Sequence, residues 1–159
     1  MGTNVDRTDQ ANQVSRDLAS MYAQGMDFSI PANQKIAMRV ASASGLEVDG
    51  GQAVLILSKI KVVREADCGS TPILECANQG YPVITQRYVI GNGSLRTSSF
   101  GSPLDIDSNT GEVRNWATDT SARVKGFSGG IKRDQYTYAA EYYLAAGESQ
   151  SGVYSRAMF

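Results

Sequence analysis

The segment from Asp105 to Glu112 is where this sequence could bind a hard cation. Oxygen ligands stand there at alternate positions, which suits calcium: Asp105, Asp107 and Asn109. The match to a calcium-binding EF-hand loop is poor, because Thr110 occupies the sixth position, where glycine belongs, and Trp116 the twelfth, where a bidentate glutamate belongs. Since Asx-rich segments before a glycine are usually ordinary turns, we predict a turn and keep a calcium site as the alternative.

Cys68 and Cys76 lie close together in a segment rich in glycine, proline, asparagine and serine. Two thiolates cannot fill a tetrahedral zinc site, and a CxxC redox pair would be closer in sequence. We therefore predict a local disulfide, with two unpaired thiols as the alternative. A disulfide indicates an oxidising compartment.

Catalysis is not expected of this chain. It contains no histidine, so it lacks the commonest general base and the commonest imidazole metal ligand. It has no phosphate-binding loop or dinucleotide fingerprint, and we expect no cofactor. A hydrolase using carboxylates such as Asp119 and Glu141 is the remaining enzymatic alternative. The formal charge is -1 with no basic stripe, which argues against a nucleic-acid partner.

Glu141 is a charged residue among apolar neighbours. A hairpin turn centred between Glu148 and Ser149 would place Arg156 directly opposite it. We predict a cross-strand ion pair that fixes the register. The alternative is a working carboxylate with a raised pKa.

The hydropathy pattern predicts helices first and strands afterwards. Residues 5–24 carry an apolar stripe at helical spacing, made of Val14, Leu18, Met21 and Tyr22. A second helix is predicted from Pro31 to Ser44 and a short one near Thr120 to Phe127. Strands are predicted over four segments: residues 53–62, Pro82 to Ile90, Gln135 to Ala145, and Val153 to Phe159. This order favours a single α+β domain with N-terminal helices packed on an antiparallel sheet of about four strands.

Three segments resemble TadE-like proteins, pseudopilin-like components of the tight-adherence pilus machinery. They are Val5 to Gly25, the motif Tyr138-Ala-Ala-Glu-Tyr-Tyr143, and the ending Gly152-Val-Tyr-Ser-Arg-Ala-Met-Phe159. The segment from Thr85 to Asn92 and the two-cysteine loop are compatible with the family. The family's N-terminal transmembrane helix does not occur in this sequence.

The resemblance implies a pilin-like fold and a non-enzymatic role in pilus assembly and cell adhesion. The chain would be a minor pilin, pseudopilin or assembly factor that acts through protein-protein contacts. Residues 1–3 would then be left from expression, and helix 5–24 would be the interaction helix, continuing a removed membrane anchor. The domain would lie on the periplasmic or extracellular side of a bacterial inner membrane, with other pilus or secretion subunits as partners. An extracytoplasmic ion- or ligand-binding module that uses residues 105–112 is the alternative.

Overall fold

The structure is a computed structural model, and it describes residues 3–43, 52–70, 75–125, 131–146 and 152–159. The side chains of residues 3–7, 42 and 43 are outside this description. The α-helices and strands found in these ranges are α1 Thr3–Ala23, α2 Pro31–Ala43, β1 Ala53–Val62, β2 Pro82–Gly91, β3 Thr137–Leu144 and β4 Val153–Met158. The strands form one antiparallel sheet in the order β2-β1-β3-β4.

The predicted α+β class, with two helices packed on a four-stranded antiparallel sheet, is confirmed. The predicted short helix is only a 3₁₀ turn over Thr120–Ala122, which Asp119 caps by accepting a hydrogen bond from the Ser121 amide. Ser44 and Phe127, the predicted ends of two helices, lie outside the described residues.

The chain forms two compact units that are interleaved in sequence. The first consists of Met1–Leu57, Tyr88–Thr97 and Tyr138–Phe159, and the second of Ser58–Arg87 and Ser98–Thr137. Each unit has buried apolar side chains of its own. Whether the chain acts as one extracytoplasmic domain stays a prediction.

The core of the first unit forms around the apolar stripe of α1. Val14, Leu18 and Tyr22 are buried, and Met21 packs against the same cluster. The Tyr22 ring makes edge-on contacts with three other aromatic rings, whose centroids lie 4.9 to 6.1 Å away: Phe28, Tyr88 and Tyr138. Such pairs stabilise a core beyond their buried area, so Tyr22 joins the end of α1 to two strands.

A polar contact fixes α1 against β4. The buried Ser155 hydroxyl donates a hydrogen bond to the Ala11 carbonyl at 2.6 Å and lies 3.0 Å from the Ser15 hydroxyl. A helix carbonyl already accepts within the helix, so the extra donor satisfies its second lone pair. This contact specifies which turn of α1 lies against which residue of β4.

The second unit is centred on a fully buried asparagine. The Asn78 side-chain amide donates to the carbonyls of Trp116 at 2.8 Å and Asp119 at 2.7 Å, and its oxygen accepts from Arg123 Nε at 2.9 Å. Burying an amide is costly unless its groups are paired, and these three bonds pair them. They tie the chain just after Cys76 to the segment of residues 116–123.

Leu18→Ala should lower the free energy of unfolding of the first unit by about 2–5 kcal/mol, because it leaves a cavity at a side chain with no exposure. Arg16→Ala, on the exposed face of the same helix, should change it by no more than about 0.5 kcal/mol. Chemical denaturation of both variants, followed by circular dichroism, measures the difference. Equal midpoints for the two variants would contradict the assigned helix phase.

Candidate functional site

The exposed face of α1 is the surface that a partner could reach on the predicted interaction helix. Val14, Leu18 and Tyr22 point into the core, so they stabilise the unit and are not available to a partner. The solvent face is polar instead, with exposed side chains at Thr8, Asp9, Gln13 and Arg16. Gln13 donates to Asp17 at 2.7 Å and accepts from Arg16 at 3.2 Å, which orders this face without covering it.

The β3–β4 pairing has the predicted register. Glu141 lies opposite Arg156, and Tyr143 lies opposite Tyr154. Direct partners in an antiparallel pair share a face, so these four side chains lie on the face opposite to that of Tyr142. The register predicted from a turn centred between Glu148 and Ser149 is therefore confirmed.

Glu141 is buried, unlike the acidic residue of an ordinary surface ion pair. Glu141 is 1% exposed, whereas Arg156 is exposed. The Tyr154 hydroxyl donates to Glu141 Oε1 at 2.8 Å, and the guanidinium of Arg96 stacks 3.7 Å from the centroid of the Tyr154 ring. The ion pair with Arg156 stays a prediction. A substrate could meet the Glu141 carboxylate only after the side chains around it had moved.

The predicted turn at residues 105–112 is built around one carboxylate. Asp107 Oδ1 accepts the amide hydrogens of Asn109 at 2.8 Å and Thr110 at 3.2 Å. Arg114 then bridges the two candidate calcium ligands, with Nη1 2.8 Å from Asp105 and Nη2 3.2 Å from Asp107. The backbone hydrogen bonds, aided by Arg114, lower the pKa of Asp107 below its ordinary value. A guanidinium therefore lies beside both carboxylates.

The predicted disulfide between Cys68 and Cys76 is confirmed, with an S–S distance of 2.08 Å. Cys68 ends a 3₁₀ turn over Glu65–Cys68, which is separated from the end of β1 by two residues. The Asp67 carboxylate within this turn accepts hydrogen bonds from Lys61 Nζ at 2.6 Å and from the Arg64 backbone amide at 2.8 Å. Burial would raise the pKa of Asp67, but these hydrogen bonds and the nearby charges outweigh it and lower that pKa.

A small basic cleft in the second unit was not predicted from the sequence. Its volume is about 70 Å³, and its lining comes from two distant segments: Lys61 and Arg64 from one, and Arg133, Asp134, Gln135 and Tyr136 from the other. The alternation of Lys59 and Lys61 indicated only a strand. No pattern in the sequence indicates that residues 133–136 lie near Lys61 and Arg64. The cleft can therefore be found only from the folded structure.

Two classes of site are not found in the described ranges. Among the residues with assigned positions, there is no cluster of three or more histidine, cysteine, aspartate or glutamate side chains that could hold a metal ion. In the same part of the chain, no helix is both long and apolar enough to span a membrane.

Calcium should not change the melting temperature of this protein, because the Arg114 guanidinium already pairs with both candidate carboxylates. A thermal melt in millimolar calcium, compared with one in chelator, measures this. Calcium at a hundred times its Kd would stabilise the fold by about 2.7 kcal/mol, which is readily detected. A calcium-dependent rise that disappears in Asp107→Ala would contradict the prediction and support the ion-binding alternative.

Comparison of this chain with family models, with curated proteins and with solved structures finds no match. Its function is therefore inferred from its own residues and contacts. The exposed face of α1, the hairpin around Glu141, the turn at Asp107 and the basic cleft are the features from which to infer it.

Proposed function

We propose that this chain is a non-enzymatic component of a tight-adherence type IV pilus system. It would be a minor pilin, a pseudopilin or an assembly factor, and it would act by protein-protein contacts. The observation that carries the proposal is the division of α1 into a buried apolar stripe and an exposed polar face. Such a helix is held firmly by its own unit while one side remains available for neighbouring subunits.

The proposed location is the periplasmic or extracellular side of a bacterial inner membrane. The Cys68–Cys76 disulfide supports it, because disulfides persist in oxidising compartments. A membrane anchor would precede α1 and continue into it. The resemblance of both ends of the chain to TadE-like proteins supports the same arrangement.

The contacts of the acidic turn make the alternative, an ion-binding module, less favourable. A calcium ion there would have to displace the Arg114 guanidinium from Asp105 and Asp107. It would also compete with two amide hydrogens for Asp107 Oδ1. Calcium usually takes six to eight oxygen ligands, and the two carboxylates of this turn that could supply some of them already contact Arg114.

Arg16→Glu should reduce the recovery of pilus subunits with the full-length, membrane-anchored protein. Arg16 is exposed on α1, so reversing its charge disturbs the charge complementarity with a docked neighbour without disturbing the core. We expect recovery to fall by about tenfold. Immunoprecipitation from detergent-solubilised membranes, quantified by mass spectrometry, measures it.

Lys35→Glu is the matched control, because it makes the same charge change at an exposed position of α2. It should leave recovery of pilus subunits unchanged. Failure to recover any pilus subunit with the wild-type protein would contradict the proposed function. Equal losses in both variants would contradict the assignment of α1 as the docking helix.

A further inference from the structure

The basic cleft of the second unit has the charge and geometry of a binding site for one anionic group. The 3₁₀ turn after β1 positions Arg64, and the strand itself positions Lys61. The segment before β3 supplies Arg133 on the other side, with the amide of Gln135 beside it. Two guanidinium groups and an amide, all of them hydrogen-bond donors, are therefore among the groups that line a cleft of about 70 Å³.

The charges of the cleft are only partly balanced. Lys61 is paired with Asp67 at 2.6 Å, and both side chains are largely buried. Arg64 and Arg133 are exposed, and no described residue forms an ion pair with either of them. Three cations line the cleft itself, and Asp134 and Asp67 offset two of them, so the lining keeps one positive charge for a ligand.

The aromatic side chains stiffen one wall of the cleft. The Lys59 ammonium lies 4.2 Å from the centroid of the Tyr136 ring, and the Lys61 ammonium lies 5.5 Å from that of Trp116. Cation–π contacts of this kind hold the lysines in place. The disulfide fixes the turn that carries Asp67, the partner of Lys61, so the cleft is preorganised before any ligand arrives.

We propose that this cleft binds a single carboxylate group through Arg64 and Arg133, with the Gln135 amide as a further donor. Its volume is far below the roughly 300–1,000 Å³ of a pocket for a whole small molecule, so it suits one group presented by a larger ligand. The fork of an arginine matches a carboxylate in geometry. One residual positive charge matches a monoanion better than a dianionic phosphate. The proposal is independent of the pilus function.

Nuclear magnetic resonance titration of the complete chain with three probes tests the proposal. The probes are glucuronate, N-acetyl-aspartate amide and N-acetyl-glycine, which present the carboxylate of an acidic sugar, an acidic side chain and a chain terminus. We expect amide shifts confined to residues 61–67 and 131–137 for at least one probe, and the probe that binds most tightly identifies the source. Inorganic phosphate, as the fourth titrant, should bind more weakly.

Arg133→Gln should lower the affinity for the tightest-binding probe by about fivefold, since it removes one exposed charge-assisted contact. Arg39→Gln, at an exposed position of α2, is the matched control and should bind like the wild type. Weaker binding in the first variant alone supports the site. The proposal is overturned by the absence of local shifts, by equal affinities in the two variants, or by a preference for phosphate.

Discussion

The burial of one stripe of α1 is the constraint on which the first unit depends. Leu18 has no exposure, and Tyr22 touches rings from β2, β3 and the chain before α2. If α1 turned by half a turn about its axis, Arg16 would enter this core and a charged group would lose its water. The same constraint therefore fixes which side of the helix is left for partners. The Ser155 hydroxyl fixes the position of α1 along the helix axis, because it donates a hydrogen bond to one particular carbonyl, that of Ala11.

The second unit uses covalent and polar contacts where the first uses apolar packing. The Cys68–Cys76 bridge closes a short loop, and the buried Asn78 amide binds the chain beyond it to the segment of residues 116–123. Closing such a loop stabilises a fold by about 2–3 kcal/mol in the chain-entropy view. Together these contacts hold the described non-helical chain of this unit in place, with Arg64 at the cleft and Asp67 beside Lys61.

Periodic features of the fold could be predicted from the sequence because they follow from local geometry. Helical spacing identified Leu18 as part of the buried stripe, and a strand over residues 135–145 with its turn placed Glu141 opposite Arg156. The hairpin register followed from the position of one turn. The pairing of Arg114 with Asp105 was missed, although both were visible, because only the fold of the turn brings a guanidinium back over two carboxylates. The cleft was missed because Arg64 and Arg133 meet only through tertiary structure.

Native-state amide hydrogen exchange tests the central claim, that α1 is an integral part of the first unit. The account predicts that the amides of residues 11–22 open with the same free energy as those of β3 and β4, because the helix cannot leave without exposing their shared core. Amides of α1 that exchange much faster than a still-protected β3–β4 hairpin would contradict it. In that case the helix would be held only loosely, and the division into buried and exposed faces would not fix a docking surface.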